Sequence, residues 1–206
     1  MNEKPIAIMT PGIGPLPWAY KGLASTFEMS GVEMEFFPVE WWSDEKNKFI
    51  EIQNRFFDRI DKLYNGRDRI SLLGISAGGP FALEALVSLE GMIRNVVTVA
   101  GCNSPKNKDN NEAYEKLYEG NKVFREMIEG FGETRDLLDN RNDLSKKATT
   151  YVVVGDDVVP YKSQSFDGAK LIDLKTVKLP FLTRHESSIV RGMILKRGEV
   201  ASFLKK

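Results

Sequence analysis

The feature that most constrains this chain is a buried-strand pattern that runs directly into Gly-x-Ser-x-Gly. Residues 69–75 have the character of a short buried strand, and apolar residues at helical spacing follow the motif. A serine on such a tight strand-to-helix turn projects its hydroxyl at the end of a sheet, and the crowded backbone needs minimal side chains two positions away on either side. Gly74 and Gly78 fill those positions. We therefore predict that Ser76 is a nucleophile.

Backbone N–H groups that could stabilise an oxyanion are predicted at two turns. The helix that begins near Ala77 points unpaired N–H groups and the positive end of its dipole toward the reacting carbonyl. A second glycine-rich turn, with Gly12 and Gly14, follows the first predicted strand. A dinucleotide-binding fingerprint would need a small residue where Pro17 stands. We therefore expect Gly12 or Ile13 to supply a second N–H opposite Ala77, with a plain turn as the alternative.

Strands and helices alternate along the chain. This rhythm predicts an α/β fold with a mostly parallel sheet of about six strands and helices on both faces. The length of 206 residues and a hydrophobic content of 42% suit one compact domain, residues 1–206. The predicted strands span residues 5–9, 32–39, 69–75, 93–100, 149–154 and 175–182.

The stretch 102–147 breaks this alternation. It is rich in Asn, Lys, Asp and Glu, yet its apolar residues recur close to helical spacing, which predicts two short amphipathic helices. The stretch is too long for a simple connection. Two interpretations stay open: a small lid whose aromatic face closes over Ser76 and forms an acyl pocket, or a helical excursion that covers a sheet edge.

The remaining candidates for acid–base chemistry follow later strands. Asp156 and Asp157 come just after the strand 149–154, so they should lie on the same edge of the sheet as the nucleophile. His185 is the only histidine, so a Ser–His mechanism has a single possible base. The order serine, aspartate, histidine is the one expected when the nucleophile occupies such a turn. Neither a second histidine nor a second cysteine is present at ligand spacing, so no metal and no cofactor is expected.

These motifs resemble those of the α/β-hydrolase superfamily, of the esterase and lipase type. Residues 74–78 resemble its nucleophile elbow, residues 156–160 its Asp-x-Val-Val-Pro acid loop, and residues 185–189 the histidine loop before its last helix. The resemblance implies the α/β-hydrolase fold and aligns Asp156, rather than Asp157, with the catalytic acid. Two features depart from the family pattern: Pro11-Gly12 stands where many members have His-Gly, and the usual strands before the first parallel strand are missing.

Composition narrows the classes of partner. Lys and Arg together number 29, as do Asp and Glu, so no basic surface for nucleic acid is indicated. No apolar run approaches the roughly 18 residues of a membrane span, and a cytoplasmic location is predicted.

The sequence therefore predicts a serine hydrolase acting on a small-molecule carboxylic ester or thioester. Ser76 would form the acyl-enzyme, His185 would act as general base, and Asp156 would orient the imidazole. Two alternatives remain. One is a binding protein on the same fold without turnover. The other is an acyltransferase that uses the same three residues and differs in what attacks the acyl-enzyme.

Overall fold

Alternating strands and helices build the described part of the chain, as the sequence pattern predicts. The structure is a computed structural model, and it describes residues 4–14, 17–45, 48–64, 69–104, 111–176 and 182–206. The strands are β1 (Ile6–Thr10), β2 (Glu33–Phe36), β3 (Ile70–Ile75), β4 (Ile93–Val99), β5 (Ala148–Val153) and β6 (Lys170–Leu174). The helices are α1 (Pro17–Glu28), α2 (Lys48–Tyr64), α3 (Gly78–Ser88), α4 (Glu112–Gly120), α5 (Lys122–Asn140), α6 (Asn142–Ser145) and α7 (Arg184–Leu204).

The six strands form one sheet in the order β2-β1-β3-β4-β5-β6, and each neighbouring pair is parallel. The chain moves outward from β1 to β2 and then returns to place β3 on the other side of β1. The strand order therefore reverses between β1 and β3. In open α/β sheets, ligands bind outside the carboxyl ends of the strands at such a reversal, which is where the loops after β1 and β3 meet.

Helices cover both faces of the sheet. On one face, α1 and α7 pack against alternate strand residues. On the other, α2, α3 and α5 do so, and the buried apolar residues of α2 recur at helical spacing: Phe49, Ile52, Phe56 and Ile60. The α/β architecture with about six strands and helices on both faces is thus confirmed.

The last strand differs from the sequence expectation. The structure places β6 at Lys170–Leu174, whereas the predicted strand 175–182 falls largely on residues 177–181, outside the described residues. Residues 175, 176 and 182 do not belong to a strand. The reason is that β6 is an edge strand with several exposed side chains, so it lacks the apolar run that marks a central strand. The other edge strand, β2, is likewise shorter than the predicted 32–39.

The stretch 102–147 contains more helix than expected. Its two amphipathic helices are α4, with 9 residues, and α5, with 19, and the single turn of α6 follows. Asn111 and Asn121 cap α4 and α5, because their side-chain oxygens accept N–H bonds from the first helical turns. The prediction of two short helices was therefore wrong for α5, whose buried face continues to Leu138 and includes one polar residue, Thr134.

Candidate active site

Ser76 stands between β3 and α3 in a backbone conformation that side chains rarely adopt. Its φ angle is +51°, in the left-handed region that costs roughly 1–2 kcal/mol for a residue with a Cβ. Two hydrogen bonds hold this turn: Ser76 N–H donates to the Val99 carbonyl, and Gly79 N–H donates to the Ser76 carbonyl, both at 2.9 Å. A strained serine fixed in this way projects its side chain at the carboxyl edge of the sheet.

The two motif glycines are needed for close backbone approach. A Cβ on Gly74 would lie 2.5 Å from the Gly78 carbonyl oxygen, and a Cβ on Gly78 would overlap the carbonyl of Thr10. The Thr10 hydroxyl donates to the same Gly78 carbonyl at 2.9 Å. The structure thus places Gly74 and Gly78 where the sequence argument requires room, and it joins the end of β1 to the start of α3.

The His185 imidazole lies next to the Ser76 hydroxyl. Nε2 of His185 is 2.9 Å from Oγ of Ser76, and both residues are buried. His185 belongs to the first turn of α7, which begins with a capping box formed by Thr183 and Glu186. The chain therefore brings its only histidine within hydrogen-bond reach of the candidate nucleophile.

Asp156 contacts the other side of the same ring. Its Oδ2 is 2.7 Å from Nδ1 of His185, and its side chain has no exposed surface. Oδ1 accepts the backbone N–H groups of Val158 and Val159 at 2.8 and 3.0 Å. Both carboxylate oxygens are therefore fixed, one on the imidazole and one on the turn that follows. Nδ1 consequently carries the proton when the carboxylate is ionised, which leaves Nε2 as an acceptor.

Asp157 holds the backbone of the histidine rather than its ring. Its carboxylate oxygens accept the N–H groups of Arg184 and His185 at 3.0 and 2.9 Å. A carboxylate in this position satisfies otherwise unpaired N–H groups at the start of α7 and interacts favourably with the helix dipole. The two candidate aspartates therefore have separate tasks, and the one that contacts the ring is Asp156.

Gln164 connects Asp156 to the sheet, and sequence reasoning missed it. Its side chain is fully buried, and Oε1 accepts the N–H of Val153 at 2.6 Å. Nε2 donates to the carbonyls of Val153 and Val159 at 3.2 and 2.9 Å and lies 3.4 Å from Oδ2 of Asp156. One amide thus ties both ends of the acid loop together beside the carboxylate.

A second polar contact links this loop to the stretch 102–147. Asn103 is fully buried, and its Nδ2 donates to Oγ1 of Thr98 at 2.9 Å and to the Gln164 carbonyl at 2.8 Å. The Arg135 guanidinium of α5 donates to the carbonyls of Asn103 and Ser165, each at 2.9 Å. These side chains therefore hold together the segments after β4 and β5. They belong to no sequence motif that would predict this role.

The loop after β1 packs directly against the nucleophile. A Cβ on Gly12 would lie 2.6 Å from the Ser76 Cβ and 3.2 Å from its Oγ. Burial and the charge of Glu186 raise the pKa of Tyr20 to about 12, and a backbone interaction with Gly12 acts in the opposite direction. Ile13 and Ala77 both line the cavity that contains Ser76.

We call this cavity the Ser76 pocket; its volume is about 180 Å³. Tyr114 and Leu117 of α4 and Phe124 of α5 form one wall, and Val158 and Val159 of the acid loop form another. The stretch 102–147 thus contributes apolar side chains to the space beside the candidate nucleophile.

Cys102 also lines the Ser76 pocket. Burial raises the pKa of its thiol well above the usual range, and the charge of Asp156 adds to that effect. The thiol therefore stays protonated at neutral pH and is a poor nucleophile.

The residues that the structure describes contain neither a metal-binding cluster of side chains nor a helix that could span a membrane. Within these ranges no three His, Cys, Asp or Glu side chains cluster closely enough to hold a metal ion. The helices of the same residues include none that is long and apolar enough to cross a membrane.

Comparisons with known proteins identify the fold. No family model and no curated protein sequence matches the chain. Among solved structures, one of the metagenome-derived lipolytic enzymes LipS and LipT is 13% identical, with a TM-score of 0.68 and coverage of 99% of this chain and 95% of that one. The mature lipase BlEst2 of Bacillus licheniformis is 15% identical, with a TM-score of 0.67 and coverage of 99% and 93%.

A third similar structure is an alpha/beta hydrolase fold protein from Nakamurella multipartita. It is 15% identical, with a TM-score of 0.60 and coverage of 100% of this chain and 93% of that one. The likeness extends over nearly the whole of both chains. This chain therefore has the α/β-hydrolase fold.

Proposed function

We propose that this protein is a serine hydrolase that cleaves a carboxylic ester or thioester through an acyl-enzyme on Ser76. The observation that carries the proposal is the pair of contacts made by one imidazole: Nε2 to Ser76 Oγ at 2.9 Å and Nδ1 to Asp156 Oδ2 at 2.7 Å. Nucleophile, base and orienting acid need this arrangement. The names of the similar structures, lipolytic enzymes and lipases, support an ester as the substrate.

The proposed reaction has four proton transfers, two in acylation and two in deacylation, and all of them pass through one nitrogen. A serine hydroxyl is a weak nucleophile at neutral pH, so Nε2 of neutral His185 takes its proton as Oγ attacks the acyl carbon. The carboxylate of Asp156 stabilises the imidazolium that forms. Nε2 then gives the proton to the leaving oxygen or sulfur. Water, activated by the same nitrogen, releases the acid and restores Ser76.

The oxyanion would be held by the backbone N–H groups of Ala77 and Ile13. Both residues line the Ser76 pocket, from opposite loops. Gly12 was an equal candidate from sequence, but Ile13 lines the Ser76 pocket and Gly12 does not, which favours Ile13. By analogy with serine proteases, each donor is worth on the order of 3 kcal/mol in the transition state.

The wall formed by α4 and α5 would hold the acyl group. Its side chains at the pocket are aromatic or aliphatic, namely Tyr114, Leu117 and Phe124, so they favour an apolar acyl chain over a charged one. This supports the interpretation of residues 102–147 as a cover over Ser76.

An acyltransferase would use the same residues, and the two activities differ only in whether water or another nucleophile attacks the acyl-enzyme.

The test combines an activity probe with ester turnover. The purified protein is incubated with a fluorophosphonate and, separately, with p-nitrophenyl acetate and butyrate. We expect covalent labelling at Ser76 and ester hydrolysis, both lost in Ser76→Ala with its melting temperature retained. Labelling without turnover would indicate a transferase or a narrow substrate range.

A matched control is available on the same strand. Ser71 is also fully buried, and its hydroxyl donates to the Leu204 carbonyl, away from the pocket. Ser71→Ala should therefore keep both labelling and turnover. Turnover that survives in Ser76→Ala, or the absence of labelling in the unaltered protein, would refute the proposal and favour a binding protein on the same fold.

A further inference from the structure

A second cavity adjoins the Ser76 pocket, and the two share one residue. This cavity, which we call the α1–α7 groove, has a volume of about 200 Å³. Glu186 lines both spaces, and the consecutive residues Ile13 and Gly14 line one each. The groove therefore lies next to the Ser76 pocket. Its lining residues are Gly14, Tyr20, Gly22, Leu23, Thr26, Leu182, Glu186, Ile189, Val190 and Ile194.

The surface of the groove is apolar where a ligand would touch it. Leu23 of α1 faces Ile189, Val190 and Ile194 of α7. Two of the three polar side chains of the lining, Thr26 and Glu186, have hydrogen-bond partners, and the third is Tyr20. The Thr26 hydroxyl donates to a backbone carbonyl of its own helix, and the Glu186 carboxylate accepts bonds from the Thr183 N–H and hydroxyl. The groove is thus suited to a hydrocarbon chain and offers little to a polar or charged ligand.

The length of the groove suits an extended chain rather than a small group. Glu186 and Ile194 are eight residues apart on α7, which corresponds to about 12 Å at 1.5 Å per residue. Ile194, at the far end, is 58% exposed. A chain that enters beside Glu186 can therefore lie along the two helices, with its end toward solvent.

The position of His185 indicates which half of an ester would lie there. In the proposed reaction, Nε2 gives its proton to the leaving oxygen, so the alcohol must depart beside the first turn of α7. Glu186 belongs to that turn and opens onto the groove. The side chains of α4 and α5 line the Ser76 pocket but not the groove, so they are available to the acyl group.

We propose that the α1–α7 groove binds an unbranched alkyl chain on the alcohol side of the substrate. This rests on the proposed function and names its substrate class: esters whose alcohol is a linear aliphatic chain. Each methylene that is buried in such a groove raises kcat/KM up to about fourfold. An ethyl ester is too short to reach beyond Glu186, so it would gain nothing from the groove.

The experiment compares ethyl, butyl, hexyl and octyl butyrate, all dissolved below their aggregation limits, by following acid release. We expect the ratio of kcat/KM for octyl over ethyl butyrate to be at least about tenfold. Val190→Trp, which fills the groove, should bring that ratio close to one. Ile194→Lys, at an exposed position, should also lower the ratio and serves if the first variant fails to fold.

Leu195→Trp is the control. Leu195 is adjacent in sequence and 69% exposed, but it does not line the groove, so this variant should keep both the ratio and the hydrolysis of ethyl butyrate. A flat ratio in the unaltered protein, or a steep ratio that both groove variants retain, would overturn the groove while p-nitrophenyl butyrate hydrolysis still supported the serine hydrolase. The dependence of kcat/KM on acyl length is measured separately with p-nitrophenyl esters. If the groove variants abolish that dependence instead, the assignment to the alcohol side is refuted.

Discussion

The neighbouring aspartates provide a sharp test, because the same isosteric change should have very different effects at the two positions. In Asp156→Asn, the new side chain stays buried, since Asp156 has no exposed surface. Its carbonyl oxygen would remain on the N–H groups of Val158 and Val159, which only an acceptor can satisfy. The amide nitrogen, a donor, would then face Nδ1 of His185.

That arrangement reverses the tautomer of the imidazole. Nδ1 must accept, so Nε2 carries the proton and donates it toward Ser76 Oγ, 2.9 Å away. A protonated Nε2 cannot take the hydroxyl proton. By analogy with the equivalent change in serine proteases, kcat should fall about 10,000-fold, which corresponds to about 5 kcal/mol of activation free energy.

Asp157→Asn should leave the tautomer intact. Within the described ranges, the Asp157 carboxylate accepts the backbone N–H groups of Arg184 and His185, and an asparagine oxygen still accepts one of them. The loss of charge at the start of α7 should lower the free energy of unfolding by about 1 kcal/mol, and kcat should stay within about tenfold.

The assay is kcat for p-nitrophenyl butyrate across a range of pH, together with thermal unfolding of each variant. We expect Asp156→Asn to lose turnover while it remains folded, and Asp157→Asn to lose stability while it remains active. Equal losses of kcat, or the reverse order, would show that Asp156 does not orient the base.

Three further changes test the surroundings of the site. Gln164→Ala should lower kcat about 10- to 100-fold and shift the acidic limb of the pH–rate profile, because Asp156 loses a neighbour at 3.4 Å; a normal profile would limit the amide to a structural role. Gly12→Ala should slow fluorophosphonate labelling about 100-fold, since the new Cβ would lie 2.6 Å from that of Ser76, and normal labelling would contradict this packing. Burial raises the pKa of Glu84 in the folded protein, so its ionised form destabilises the fold as pH rises through the unfolded value. Glu84→Gln should therefore raise the melting temperature at neutral pH by about 2–4 °C for about 1 kcal/mol, with no gain below the unfolded pKa of 4.5.

The sequence is sufficient for the turn around Ser76 because its requirements are local. A strand pattern, two glycines and a helical pattern within twenty residues account both for the backbone crowding and for a hydroxyl that projects at the edge of the sheet. In the structure, Gly74 lies against the Gly78 carbonyl and Gly78 lies against the Thr10 carbonyl, for the same steric reason. The parallel sheet was also predictable, since alternating strands and helices have few other arrangements.

The choice between Asp156 and Asp157 could not be made from periodicity. Successive residues in a turn point in directions set by the backbone, and both carboxylates end within hydrogen-bond distance of His185 atoms. On the sequence alone, only the family resemblance favours Asp156 as the catalytic acid.

Gln164 and Asn103 had no sequence signal at all. Each lies in a loop without hydrophobic periodicity, and each has backbone groups among its partners, which any sequence would carry. Their partners are fixed by the tertiary fold. A fully buried amide in a loop is recognisable only once burial is known.

The single buried imidazole also gives direct spectroscopic access to the proposed base. His185 is the only histidine in the chain, so in a preparation without a histidine tag every imidazole resonance in an NMR spectrum belongs to one ring. Its nitrogen shifts distinguish the two tautomers and the protonated form without mutagenesis or residue assignment. A titration of the resting protein would therefore follow the protonation of this one ring directly, and a fluorophosphonate adduct on Ser76 would change the same signals.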